Sequence, residues 1–171
     1  MKFYKIILFL LLISNAHSNE KFKLKKITDL NNPWSMTFLN NEEIMISDKE
    51  GQIQNINLKN KTINKVNHNL NYKVDGQGGL MEILKHKNNI YLCYTEDRGS
   101  GKTSTSIAKA KYKKYNLNFK NIFQANPPIN SGYHFGCRMV IQDDKYLYAS
   151  IGERGGGNIA QDFNQHPGSI I

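Results

Sequence analysis

Leu80-Met81-Glu82-Ile83-Leu84-Lys85-His86-Lys87-Asn88-Asn89-Ile90-Tyr91-Leu92-Cys93-Tyr94 decides the fold, because it sets an apolar run, a polar turn pair and a second apolar run in line. Short runs rich in Ile, Leu and Tyr, broken by Asn-Asn, read as two antiparallel strands around a turn. The same phase recurs on either side. Asn40-Asn41 separates Trp34 to Leu39 from Ile44 to Ser47, and Asp143-Asp144 separates Phe135 to Ile141 from Tyr146 to Ile151, so the turn pairs fall 48 and 55 residues apart. An acid and a glycine follow each second run, as Asp48 with Gly51, Asp97 with Gly99 and Glu153 with Gly155. Two further strands complete each of the first two units: Gln52 to Leu58 with a short run near Ile63, and Thr105 to Tyr112 with Phe119 to Gln124.

Four antiparallel strands repeated every ~40–55 residues is the pattern of propeller blades. The fold class is all-β, and Phe22 to Ile27 reads as a strand supplied to a closing blade. Propellers have about four to eight blades, and this chain holds about two and a half to three, so it is expected to be part of a longer one. It stops at Gly168-Ser169-Ile170-Ile171, where another strand begins. A sandwich of unrelated strands is the alternative, although it would not need the repeated phase.

Lys2 and Lys5, the apolar run Ile6 to Ile13 and the small-x-small pattern Ala16-His17-Ser18 read as a secretory signal over residues 1–18, which leaves 19–171 as the propeller part. The apolar core is shorter than the roughly 20 residues that span a bilayer, so no stable membrane insertion is expected and the protein is placed in the periplasm or outside the cell. The net charge is +9, from 23 basic and 14 acidic residues. Export argues against nucleic acid as a partner, and the lysines of Lys21 to Lys26 and Lys109 to Lys114 alternate with apolar residues as solvated strand faces do. Cys93 and Cys137 lie in apolar runs and read as separate buried thiols rather than a disulfide. No Cys/His spacing matches a zinc site.

In a propeller the innermost strand of each blade starts at one face of the central channel. Residues just before it therefore encircle one opening, and here they are Trp34, Gln77 and His134. Trp34 reads as packing between blades, and Gln77 fits either a site or a simple turn. His134 lies in Gly132-Tyr133-His134-Phe135-Gly136-Cys137-Arg138. Counting out from Asp143-Asp144 puts Glu153 across the hairpin from His134, with side-chain roots about 5 Å apart. A carboxylate there can hold the imidazole in one tautomer and make it a general base. The same residues also fit a strand cap and a glycine-rich turn. Gly99-Ser100-Gly101-Lys102-Thr103 ends like a phosphate loop but has Glu96 where the first glycine is needed, so it reads as a hairpin tip. His86 and His166 have no partners at ligand spacing and are given no role.

Leu30-Asn31-Asn32-Pro33-Trp34-Ser35-Met36, Gly76-Gln77-Gly78-Gly79-Leu80, His134-Phe135-Gly136-Cys137-Arg138, and Ile151-Gly152-Glu153-Arg154-Gly155 with Ala160-Gln161-Asp162 resemble the soluble glucose and aldose sugar dehydrogenases that use pyrroloquinoline quinone (PQQ), over about Leu24 to Ile171. The resemblance implies a six-bladed propeller that oxidises the anomeric hydroxyl of an aldose to a lactone and passes electrons to an unspecified acceptor. It implies that His134 is the general base, that Glu153 stands where the family has a supporting carboxylate, usually aspartate, and that Gln77 and Asn158 lie beside the sugar. Arg138 matches a family arginine with a structural role. Tyr133 replaces the acid that precedes the histidine in the glucose-specific branch, which points to the broader aldose branch. PQQ and calcium are implied as cofactors, but the family's quinone-gripping residues and calcium ligands come mostly from later blades, so no cofactor-binding residue is assigned. Two other readings stay open: an exported propeller that binds a sugar or protein without redox chemistry, and a propeller lactonase, which needs several carboxylates or amides around a channel metal.

Overall fold

A computed structural model describes residues 22–171, so the leader read over 1–18 lies outside the described residues. In chain order the strands are β1 (Pro33–Phe38), β2 (Glu43–Asp48), β3 (Ile53–Asn57), β4 (Ile63–His68), β5 (Leu80–His86), β6 (Asn89–Asp97), β7 (Thr103–Lys111), β8 (Asn116–Leu117), β9 (Lys120–Gln124), β10 (Gly136–Gln142) and β11 (Tyr146–Ile151), followed by a short 3-10 helix at Gly157–Gln161. They form three sheets: β1-β2-β3-β4 with β8 parallel at its edge, β5-β6-β7-β9, and the hairpin β10-β11. These are two four-strand propeller blades and the inner hairpin of a third, each beginning at the position that the repeat predicts.

The blades stack face to face, which explains why β6 is buried almost throughout instead of alternating. Ile90, Leu92 and Tyr94 share one core with Met45, Ile53 and Val66 of the first blade, while Cys93 joins Met81, Ile107, Phe135, Met139 and Ala149 in a second core against the third hairpin. Ile53, Leu80, Ile90 and Leu92 are fully buried, and each such side chain stabilises the fold by about 1.5–3 kcal/mol. The inner strands are also tied by polar bonds. Ile83 N–H donates to Ser35 Oγ (3.3 Å), Lys85 N–H donates to Thr37 Oγ1 (3.0 Å), and Arg138 Nη1 meets Glu82 Oε1 at 2.8 Å. Arg138 thus links the second blade to the third, and Met139 N–H donates to the other Glu82 oxygen.

Two expectations are corrected. Phe22 to Ile27 is not a strand and pairs with no strand among the described residues: Phe22 and Leu24 are exposed, while Ile27 and Leu30 pack over Ile44, Ile46 and Ile56. Cys93 and Cys137 are not separate thiols but a disulfide, with Cα atoms 6.4 Å apart. Each lies on the face its strand turns toward the neighbouring blade, and blade stacking brings those faces together.

The third hairpin differs from simple counting in two compensating ways. Its turn holds three residues, so Gln142 pairs with Tyr146 and Met139 with Ala149, but a bulge between Gly136 and Met139 shifts the register so that Gly136 pairs with Ile151. The two offsets cancel. Beyond the bulge Gly152 N–H donates to Phe135 O (3.1 Å) and Arg154 N–H to His134 O (3.2 Å), which carries the ladder on to His134 and Glu153.

Candidate active site

Trp34, Lys49, Gly76, Gln77, His134 and Phe135 line one pocket of about 450 Å³ at the ends of the inner strands, a size suited to a small molecule. Trp34 is 42% exposed and faces this pocket, so it is not packed away between blades. An adjoining recess of about 300 Å³ runs on past Trp34 to Ser35, Glu82 and Arg138. A larger groove of about 510 Å³ lies on the outer edge of the second blade among Lys109, Lys111, Lys113 and Lys120. That groove has no histidine or carboxylate in its lining, whereas the smaller pocket is lined by His134.

His134 has φ +48°, a left-handed conformation that is uncommon outside glycine and is held only when its surroundings determine it. Three contacts do so. Its N–H donates to Gln77 Oε1 (2.9 Å), its carbonyl accepts from Arg154 N–H, and its Nδ1 lies 2.5 Å from Glu153 Oε1. Gln77 is itself anchored, with its N–H donating to Gly132 O at 2.7 Å. The hydrogen bond from His134 holds the Glu153 carboxyl below its ordinary 4.5. An ionised carboxylate only accepts, so Nδ1 carries a proton, and Nε2 is the ring nitrogen left to take up or release the other. Nε2 has no hydrogen-bond partner among the described residues.

Glu153 also accepts Gly155 N–H (3.1 Å), just as Asp48 accepts Gln52 N–H (2.8 Å) and Asp97 accepts Gly99 N–H (2.9 Å). The acid that recurs in each blade is therefore a turn cap. In the third blade this residue is a glutamate, and it caps the turn and engages the histidine with the same oxygen.

Arg154 and Lys49 were missed as site residues by sequence reasoning. Arg154 is 3% exposed. Its guanidinium donates to the carbonyls of Tyr133 (3.1 Å), Thr103 (2.9 Å) and Ser131 and to Thr103 Oγ1 (2.8 Å), and it lies 3.6 Å from the centre of the Phe135 ring. Burial lowers its pKa to about 10, so it stays charged at neutral pH. It clamps the loop that presents His134. An arginine among glycines reads as solvated, and only the fold of Ser131–Phe135 over it reveals otherwise. Lys49 follows the recurrent acid Asp48, which was the one signal that placed its neighbourhood at the blade end. Asn158 stands apart, exposed on the 3-10 helix and outside the lining of the pocket. His166 has a structural place, accepting Asn126 N–H at Nδ1 (2.9 Å), and His86 lies 2.8 Å from Asp144 of the third hairpin.

The model of the Glucose / Sorbosone dehydrogenase family matches residues 30–171. The aldose sugar dehydrogenase of Escherichia coli (strain K12) is 24% identical over 151 residues, which cover 83% of this chain and 41% of that protein. A crystal structure of glucose dehydrogenase superposes with a TM-score of 0.78 at 26% identity, covering 83% of this chain and 44% of the other. The PQQ-bound form of the aldose sugar dehydrogenase of Streptomyces coelicolor superposes with a TM-score of 0.73 at 24% identity, covering 84% and 45%. The chain spans less than half the length of these relatives. With two blades and the inner hairpin of a third in the same phase, and a family match running from residue 30 to residue 171, the chain belongs to the glucose/sorbosone dehydrogenase family.

Proposed function

We propose that this chain carries the sugar-binding and proton-accepting part of an exported aldose dehydrogenase. The observation that carries the reading is His134, fixed through Nδ1 by an ionised carboxylate and left with a free Nε2 in a pocket beside Gln77 and Trp34. Oxidising an anomeric C–OH to a lactone removes a proton from oxygen and a hydride from carbon. His134 Nε2 takes the proton, and Glu153 stabilises the imidazolium that forms. Gln77 acts first as a positioning residue through its Oε1, and its amide N–H groups are left for a sugar hydroxyl. Asn158, beside the sugar by resemblance, carries no step.

PQQ, implied as cofactor by the resemblance, would supply the hydride acceptor. A quinone with three carboxylates needs several cations around it, and the pocket lining contributes one lysine. Among the described residues no group of three or more His, Cys, Asp or Glu could hold a metal ion. These residues do not by themselves fit as the cofactor's grip, so no step is drawn through PQQ or calcium. No helix among the described residues is long and apolar enough to cross a membrane, and the leader supports a periplasmic or secreted location.

The test is dye reduction by the full-length gene product, supplied with PQQ and calcium and offered a panel of aldoses. Sugar-dependent reduction is expected, whereas sugar binding without reduction would leave a binding module and overturn the reading. Glu153→Gln sharpens it. The amide can still accept Gly155 N–H but no longer stabilises an imidazolium, so kcat is expected to fall roughly 10²-fold. The linkage has a definite sign. The carboxyl titrates lower in the folded protein than its ordinary 4.5, so the stability it contributes is complete above that value and is lost as pH falls through the lowered one. The Tm difference between wild type and Glu153→Gln is therefore expected to shrink in acid, and an unchanged difference at low pH would contradict the pairing.

A further inference from the structure

Lys49 is the one lysine or arginine lining the pocket that holds His134. Its root is fixed. Lys49 N–H donates to Asn32 O (3.1 Å), and its backbone and side-chain stem lie against Gly79, where an added Cβ would sit 2.0 Å from Lys49 O and 3.0 Å from Lys49 Cγ. Gly79 is thus required by close approach, and it sets Lys49 beside the loop that carries Gln77. The lysine is half-buried and makes no ion pair among the described residues. The acids beside it in sequence form no ion pair with it: Asp48 Oδ1 accepts Gln52 N–H while its Oδ2 is buried without a partner, and Glu50 Oε1 accepts Asn32 Nδ2–H (3.3 Å). Glu153, behind His134, is committed to His134 and Gly155, and the pocket lining itself contains no carboxylate to answer this charge.

A cation held without a counter-charge in a partly desolvated pocket favours an anionic ligand group. Trp34 lines the same pocket with an apolar ring suited to the C–H face of a sugar. We infer that the pocket selects an aldose bearing an anionic group, carboxylate or phosphate, with Lys49 as its counter-ion and Trp34 as its stacking face. This rests on the sugar-binding reading above and adds the substrate class to it. In a hexuronic acid, C1 and the carboxylate-bearing C5 flank the ring oxygen, so one end can address His134 while the other addresses a cation.

Isothermal titration calorimetry reports occupancy of the pocket without turnover. The experiment titrates the full-length gene product with D-glucose, D-glucuronate and D-glucose 6-phosphate. The charged sugars are expected to bind about tenfold more tightly than glucose, with an advantage that fades at high salt and tells carboxylate from phosphate by which is preferred. Lys49→Met is expected to erase the advantage of the charged sugars over glucose, and Lys49→Arg to keep most of it. Equal affinity of charged and neutral sugars would overturn this inference alone, whereas no binding of any sugar would overturn the sugar-site reading as well. If Lys49→Met weakened PQQ binding and left the preference between sugars intact, Lys49 would belong to the cofactor and the inference would also fail.

Discussion

His134→Asn in the full-length gene product is expected to lower kcat for aldose oxidation by about 10²–10⁴-fold, the range lost when a positioned general base is removed. Asparagine is chosen because it tolerates φ above zero, as His134 requires, and it keeps the backbone N–H that Gln77 holds. Alanine would add a backbone penalty of about 1–3 kcal/mol and blur a chemical loss with a structural one. Sugar binding measured by titration calorimetry should remain close to wild type, so the loss should fall on kcat rather than on binding. A variant that turned over at the wild-type rate would remove His134 from the mechanism and leave Glu153 as a turn cap and nothing more.

Arg154→Met carries the largest expected cost in stability. Its guanidinium satisfies the carbonyls of Tyr133, Thr103 and Ser131 and lies on the Phe135 ring, and methionine leaves those buried acceptors without donors. Each abandoned buried acceptor costs about 1–3 kcal/mol, so a loss of about 3–5 kcal/mol is expected, seen as a Tm lowered by roughly 10 °C or more. Arg154→Lys should recover only part of it, because one ammonium cannot span acceptors from two segments of chain. Activity in Arg154→Met should fall even at temperatures where the protein stays folded, since the Ser131–Phe135 loop would lose its clamp. A variant with wild-type melting would show that the clamp is dispensable.

Much of this was legible in the sequence, and for a physical reason. Apolar runs flanking Asn40-Asn41, Asn88-Asn89 and Asp143-Asp144 combine strand periodicity with turn chemistry, two local signals that the fold need only obey. The meeting of His134 and Glu153 followed from hairpin geometry, although the turn and the bulge each departed from the simple count by one residue. What was missed depends on which blade a side chain faces. Cys93 and Cys137 look alike in a strand pattern whether they point together or apart, and blade stacking decides it. Arg154 beside Gly155 and Gly156 looks like a surface charge until the loop from Ser131 closes over it. Phe22 to Ile27 alternates as a strand does, but alternation supplies no partner edge.

The cancelling offsets of the third hairpin tie its turn and its bulge together. A residue inserted or deleted in the Asp143–Lys145 turn would reverse which side chains of β10 face the core, exchanging buried Met139 with exposed Val140, unless the bulge near Cys137 changed by one residue at the same time. Homologous chains are therefore expected to vary in length at these two points only in concert. A deep mutational library should find single-codon indels in either one lethal to folding and matched pairs tolerated.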